Sequence, residues 1–128
     1  MNTFRLVTPE RFLKYAGLHL VAEFWGAKAI ENKKELKKIL ITAAKKSGSA
    51  PLEVVIYKFK PRGITGIVVL AESHLSVHSW PEIDYLAIDI FSCGKKATPK
   101  KALDYLKKNF RPKRVETKLI RRGVFKKR

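Results

Sequence analysis

Short apolar blocks alternate with charged stretches along the chain, and their periods predict an alternating order of strands and helices. The β-rich blocks end at Gly, Pro or charged residues, and they cover residues 18–25, 52–59, 64–71, 84–93 and 114–120. Pro61 and Gly63 separate the second block from the third, which predicts a β-hairpin. We expect the chain beyond residue 120 to be frayed.

Two further blocks have the 3.6-residue period of amphipathic helices. In the first, Asn32 and Glu35 have the spacing of a capping box and Gly48 marks the end. In the second, Thr98 is the expected N-cap and Pro99 the first-turn residue. The apolar residues that share one face are Leu36, Ile39, Leu40, Ala43 and Ala44 in the first helix and Ala102, Leu106 and Phe110 in the second.

These elements add up to an α+β protein, a two-layer sandwich of one mostly antiparallel sheet with two helices on one face. With 128 residues and 45% hydrophobic content, the chain can build one ordinary core, so we expect a single domain over residues 1–128. The second face of the sheet must also be covered, which favours a dimer. The first residues lack the apolar core of a signal peptide or a membrane span, so we expect a cytoplasmic protein.

The formal net charge of +17 is unevenly distributed. Residues 95–128 contain fifteen Lys and Arg against two carboxylates, whereas residues 68–93 contain four carboxylates and no Lys or Arg. A phosphate-binding surface would not be built around the second segment, but a site for a cationic small molecule can be. We therefore interpret the basic excess as a solvated face, and we expect neither a nucleic acid nor a membrane as partner.

The polar stretch LAESHLSVHSWPE, residues 70–82, interrupts an apolar region and has ordinary interpretations. His74 and His78 can be partly buried histidines, and the lone Cys93, which excludes an internal disulfide, can be a small core residue. Two histidines four residues apart without a third ligand make a zinc site improbable. The chain also lacks a Gly-rich phosphate loop and the glycine-flanked serine of a hydrolase nucleophile elbow.

A resemblance gives this stretch a sharper interpretation. ESHLSVHSWPE followed by AIDIFSCG resembles the signature of the bacterial and archaeal S-adenosylmethionine decarboxylase proenzymes. The similarity continues through GITGIVVLAESH and GLHLVAEFWGA and spans roughly residues 17–114. It implies a two-layer sandwich, and an enzyme that decarboxylates S-adenosylmethionine to supply an aminopropyl donor for spermidine synthesis.

The resemblance also implies that the chain makes its own cofactor. The Ser73 hydroxyl would attack the carbonyl of Glu72, turning the peptide bond into an ester. Abstraction of the α-proton of residue 73 would then expel the Glu72 carboxylate and leave, after hydrolysis, a pyruvoyl group and ammonia. The chain would be cut into residues 1–72, the β chain, and residues 73–128, the α chain. The pyruvoyl carbonyl would form a Schiff base with the substrate amine and act as an electron sink.

By the same resemblance, other residues receive roles. His78 is the base of the elimination, and imidazoles titrate near neutral pH. Thr65 stands where relatives commonly have serine, and its hydroxyl would stabilise the intermediate of the acyl shift. Cys93 would protonate carbon after carbon dioxide leaves. Phe59 would stack on adenine, and Glu82 would bind the ribose hydroxyls.

One spacing conflicts with a shared site. Ser73 and His78 are an odd number of residues apart, so on one regular strand they would face opposite sides of the sheet. We therefore predict a turn or bulge between them, with Ser73 at a strand end. Relatives of this short type are expected to be homodimers with sites near the subunit interface, to which Glu23 could contribute.

Two alternatives remain open at this point. Some archaeal relatives resemble arginine decarboxylases in activity, although Phe59 and Glu82 favour a nucleoside. A basic RNA-binding module on a decayed scaffold is favoured only by the charge, and the joint presence of Ser73, His78 and Cys93 speaks against it.

Overall fold

The computed structural model describes residues 13–71, 73–93 and 98–126. The strands within these ranges are β1 (Leu13–Lys14), β2 (Gly17–Trp25), β3 (Pro51–Lys58), β4 (Ile64–Leu70), β5 (Ser73–Trp80), β6 (Tyr85–Ser92), β7 (Arg114–Arg122) and β8 (Phe125–Lys126). The helices are α1 (Lys33–Lys46) and α2 (Pro99–Phe110), and a 3₁₀ turn at Pro81–Ile83 joins β5 to β6.

Six of the strands form one antiparallel sheet in the order β3-β4-β5-β6-β2-β7. Both helices lie on the same face, so the predicted two-layer α+β sandwich is confirmed. The polar stretch of the sequence supplies β5, a strand that is paired on both sides, by β4 and β6. The candidate chemistry therefore lies inside the sheet and not in a loop beside it.

Alternation of apolar and polar side chains along the strands explains why the helices pack on one face of the sheet and not on the other. On β5, Leu75 and Val77 are buried beneath the helix layer, whereas His74, Ser76 and His78 occupy the alternate positions of the opposite face. The sheet residues buried with Leu75 and Val77 are Leu20, Ala22, Phe24, Ile64, Val68, Leu70, Leu86, Ile88 and Ile90. The helix residues that complete the core include all eight predicted apolar positions, which are Leu36, Ile39, Leu40, Ala43, Ala44, Ala102, Leu106 and Phe110.

The two helix starts differ from each other. The Asn32 side chain accepts a hydrogen bond from the Glu35 N–H at 2.9 Å, as the capping pattern predicts. Thr98 is the N-cap residue of α2 and Pro99 its first residue, as predicted, but the Thr98 side chain makes no capping hydrogen bond to the first turn. The Thr98 N–H donates to the Ser47 carbonyl at 2.9 Å instead, which ties the start of α2 to the end of α1.

The end of the chain is also more ordered than its composition suggests. The prediction of fraying beyond residue 120 is wrong, because β7 continues to Arg122 and β8 pairs with β1. Gly123 turns the chain between them at a φ of +65°, and the Ala16 N–H donates to the Arg122 and Gly123 carbonyls. Within the described residues, neither helix is long and apolar enough to cross a membrane.

Candidate active site

The sheet face opposite the helices, which we call the open face, contains a shallow cavity of about 720 Å³ over β2, β5 and β6. Its polar lining comes from Glu23, His74, Ser76, His78, Tyr85 and Asp89. Each of these residues occupies the non-core position of its strand, since the neighbours that alternate with them are buried. The local period of two thus places the polar groups of three strands on one surface.

Asp89 lies at the centre of a hydrogen-bonded group on this face. One carboxylate oxygen accepts from His19 Nε2 at 2.7 Å and from His74 Nε2 at 2.9 Å, and the other accepts from the Ser76 hydroxyl. Burial of Asp89 works to raise its pKa, but the hydrogen bonds from Ser76, His74 and His19 together outweigh it, so the pKa lies below its ordinary value. Asp89 therefore pairs with two imidazoles on this face.

The contact with Arg122 determines which ring nitrogen of His19 carries the hydrogen. Its Nη1 lies 3.0 Å from His19 Nδ1. A guanidinium can only donate, so His19 Nδ1 is the acceptor and His19 Nε2 carries the hydrogen that Asp89 accepts. We refer to Arg122, His19, Asp89, His74 and Ser76 as the Asp89 network.

The same cluster bears on metal binding. The ligand atoms of His19, His74 and Asp89 lie within 4.8 Å of one another. The spacing in the sequence predicts no third ligand near His74 and His78, but this prediction overlooks His19. His19 lies on β2, 55 residues before His74 in the sequence, and the pairing of β2 with β6 places it next to Asp89. However, Arg122 places its positive charge beside His19 and leaves the hydrogen on Nε2, the atom that would have to bind the ion. The geometry favours a hydrogen-bonded network over a metal centre.

Thr65 and His78 form a second pair on the open face. They face each other across β4 and β5, and the Thr65 hydroxyl lies 3.0 Å from His78 Nδ1. Phe59 follows β3 at the same end of the sheet, half-exposed, with its N–H bonded to the Gly63 carbonyl. Glu82 is exposed in the turn after β5, also at this end. Four of the predicted site residues, Phe59, Thr65, His78 and Glu82, thus share one end of the sheet, which we call the His78 end.

Ser73 and Cys93 lie at the other end, the Ser73 end. Ser73 is the first residue of β5, as predicted, and it pairs with Leu70, so the chain reverses within two residues. The last β5–β6 pair at this end is His74 with Phe91. Ser73 precedes His74 on β5, and Cys93 follows the last residue of β6, Ser92. Glu72, the other residue of the predicted cleavage bond, lies outside the described residues.

The predicted turn or bulge between Ser73 and His78 is wrong. Residues 73–78 pair one by one with residues 70–65 of β4, without a shift in register. Burial of Leu75 and Val77 and hydrogen bonding on both sides keep β5 straight. At about 3.3 Å per residue, Ser73 and His78 are roughly 17 Å apart along the strand.

Tyr85 is a functional-site candidate that the sequence did not single out. Its hydroxyl donates to the carboxylate of Glu23. Burial, followed by the hydrogen bond and charge of Glu23 and the charge of Glu116, raises the pKa of Tyr85 to about 12. Trp25 stacks on the Tyr85 ring at 4.5 Å and donates from Nε1 to Glu116 at 2.8 Å. The only available signal was the alternation along β6, which places Tyr85 on the same face as Asp89.

Comparison with known proteins identifies the family. The family model described as S-adenosylmethionine decarboxylase matches residues 18–123. A protein of Acetivibrio thermocellus named S-adenosylmethionine decarboxylase proenzyme is 40% identical over 111 residues, covering 85% of this chain and 90% of that protein. One of the same name from Methanococcus maripaludis strain C5 is 37% identical over 114 residues, covering 88% and 93%.

The fold agrees with this match. The crystal structure of the adenosylmethionine decarboxylase from Aquifex aeolicus is similar with a TM-score of 0.82 and 32% identity, over 90% of this chain and 97% of that one. The chain belongs to the S-adenosylmethionine decarboxylase family.

Proposed function

We propose that this chain decarboxylates S-adenosylmethionine, and that it does so with a pyruvoyl group made from its own Ser73. The observation that carries the proposal is the place of Ser73, at the first residue of a central strand, paired with Leu70 of β4 and at the same end of the sheet as Cys93. Relatives with 37 to 40% identity are named proenzymes, which agrees with a precursor that is processed.

Processing requires only groups of this protein and water. Ser73 Oγ attacks the carbonyl carbon of Glu72, the peptide C–N bond breaks, and the amino group of residue 73 takes up the hydroxyl proton. Removal of the α-proton of residue 73 then breaks the Cβ–O bond and releases the Glu72 carboxylate. Water replaces the remaining nitrogen, which leaves as ammonia. The products are residues 1–72 and residues 73–128.

The residues at the Ser73 end fit such a group. Residue 73 becomes a chain end that pairs with Leu70 of β4, and Cys93 follows β6 at the same end of the sheet. The pyruvoyl group supplies an electron sink for the bond that breaks to carbon dioxide. Cys93 Sγ–H then gives a proton to the α-carbon of the product.

The roughly 17 Å between Ser73 and His78 leads us to propose that two copies complete each site. The open face exposes apolar side chains that need cover, including Val55, Tyr57, Val69 and Trp80. A second copy packed on this face by two-fold symmetry would bring the partner's His78 end over Ser73 and Cys93. The roughly 17 Å between Ser73 and His78 of one chain is then no obstacle, because each His78 acts on the Ser73 of the other copy.

The partner's His78 end contributes the base and the nucleoside contacts in this arrangement. His78, hydrogen-bonded to Thr65, takes the α-proton, and the Thr65 hydroxyl stabilises the oxygen of the acyl-shift intermediate. Phe59 offers an exposed ring for adenine, and Glu82 an exposed carboxylate for the ribose hydroxyls. The substrate's sulfonium suits a segment, residues 68–93, with four carboxylates and no Lys or Arg.

An intact mass spectrum under denaturing, reducing conditions tests the processing, and release of labelled carbon dioxide from carboxyl-labelled S-adenosylmethionine tests the activity. We expect two fragments that divide between Glu72 and Ser73, the second with pyruvoyl in place of serine. Ser73→Ala should remain one inactive chain, while Ser49→Ala, a loop serine, should mature normally. A single unmodified chain after prolonged warm incubation would overturn the pyruvoyl mechanism. Release of carbon dioxide from arginine, and not from S-adenosylmethionine, would overturn the proposed substrate.

A further inference from the structure

The Asp89 network joins four neighbouring strands at the Ser73 end of the sheet. Asp89 on β6 bonds to His74 and Ser76 on β5 and to His19 on β2, and Arg122 extends the network to β7. Because both His74 and Ser76 donate to one carboxylate, β5 is attached to β6 through side chains at two successive positions of the open face.

His74 directly follows Ser73, so its side chain is the open-face side chain of β5 nearest to the bond that is cut. In the uncut chain, the reversal between Leu70 and Ser73 ties the start of β5 covalently to β4. Cutting removes this tie and leaves residue 73 as a chain end. Chain ends fray unless they are held.

We propose that the Asp89 network is a clamp that holds the start of β5 in place once the bond between Glu72 and Ser73 is broken, an inference that rests on the function proposed above. His74, Asp89 and His19 are positioning residues in this proposal. A displacement of about 1 Å at a reacting centre can lower a rate by about 10²-fold, so a catalytic group on a chain end requires such a support.

Phe91 and Arg122 pack against the imidazoles of the clamp. The Phe91 ring lies 5.2 Å from that of His19 and 5.8 Å from that of His74, which limits the rotation of both imidazoles. The Arg122 guanidinium lies 5.7 Å from the same ring while it donates to His19. The ionised Asp89 therefore meets donors that are oriented before it binds them, and such charge-assisted bonds are about twice as strong as neutral ones.

Hydrogen exchange of the cleaved protein provides a test that does not depend on activity. Asp89→Asn keeps the side-chain shape but removes the charge. In cleaved Asp89→Asn, we expect the amides of residues 74–76 to exchange about 10-fold faster or more, with residues 77–80 unchanged. In the uncut double variant Ser73→Ala/Asp89→Asn, the increase over Ser73→Ala should be small, because the reversal still holds β5. Asp104→Asn, an exposed carboxylate on α2, is the matched control.

Kinetics separate positioning from general stability. Asp89→Asn and His74→Ala should be cut to completion, yet kcat should fall by about 10- to 100-fold with little change in KM. His74→Gln, which keeps a donor near the position of Nε2, should recover part of this loss. Equal acceleration of exchange in cut and uncut protein, or normal exchange in cleaved Asp89→Asn, would overturn the clamp while leaving the proposed function intact. A wild-type chain that is never cut would overturn both.

Discussion

Thr65 and His78 face each other across β4 and β5, hydroxyl to imidazole at 3.0 Å, at the opposite end of β5 from Ser73. A processing serine and its base that lie so far apart cannot act on one bond within one copy of the chain. This separation makes the division of the site between two copies testable, and the predictions below start from it.

His78→Ala should accumulate the ester between residues 72 and 73, because the acyl shift proceeds but the α-proton is no longer removed. Hydroxylamine cleaves esters and leaves peptide bonds intact, so His78→Ala treated with hydroxylamine should give two fragments. Without hydroxylamine, His78→Ala should give far fewer pyruvoyl-ended fragments than the wild type. Ser73→Ala, which cannot form the ester, is the matched control. Insensitivity of His78→Ala to hydroxylamine would remove His78 from the elimination.

Co-expression of Ser73→Ala with His78→Ala should restore processing that neither variant shows alone. A mixed dimer contains one site with Ser73 from the His78→Ala copy and His78 from the Ser73→Ala copy, and only the His78→Ala chains should acquire pyruvoyl. Mass spectrometry distinguishes the two chains. As a control, His78→Ala combined with the double variant Ser73→Ala/His78→Ala should remain unprocessed. If the co-expressed Ser73→Ala and His78→Ala chains also remain unprocessed, the result would contradict a site shared between two copies.

Cys93→Ala should be cut like the wild type but should lose turnover, by roughly 10²- to 10⁴-fold if Cys93 is the general acid. The physical reason is that processing requires the groups of Ser73 and His78, whereas protonation of the product carbon requires the thiol. The measurement pairs fragment yield with the rate of labelled carbon dioxide release. Wild-type turnover in Cys93→Ala would assign the thiol a packing role only.

Tyr85 should titrate above the ordinary range of a tyrosine, since its pKa is raised from 10 to about 12. Because the folded-state pKa is the higher one, the stability from this phenol is present below about pH 10 and is lost as the pH rises towards 12. Spectrophotometric titration of phenolate measures this. Glu23→Gln should bring the pKa part of the way back, since burial remains, and Glu116→Gln should have a smaller effect. A Tyr85 that titrates near pH 10 would contradict the contact with Glu23.

Gly66→Ala should destabilise the fold without affecting the chemistry directly. A Cβ at this position would lie 2.6 Å from Cδ1 of Leu40, so the Leu40 side chain, which is fully buried, must move within the packed core. We expect a loss of about 1 to 3 kcal/mol in the free energy of unfolding by urea. Combined with Leu40→Ala, the cost should be less than the sum of the single costs. If the losses in the free energy of unfolding are strictly additive, the side chains at positions 66 and 40 are not in contact.

Much of the fold could be predicted because its signals are local. The capping pair Asn32 and Glu35 and the alternation along residues 84–93 each depend on a few neighbouring residues, and the structure contains both. The exceptions had tertiary causes. The Thr98 N–H donates to the carbonyl of Ser47, just after α1, and its side chain makes no capping bond to α2, while β8 pairs with β1, which lies more than 100 residues earlier in the chain.

The sequence by itself determined the family, because membership depends on residue types at short spacings within recognisable blocks of the chain. Only the tertiary structure decided which groups meet. His19 reaches Asp89 across 70 positions and Arg122 reaches His19 across 103, distances over which no periodicity extends. Likewise, β5 is straight because β4 and β6 hydrogen-bond both of its edges and its apolar residues are buried under the helices. Such long-range pairing, which a local pattern cannot encode, separates Ser73 from His78.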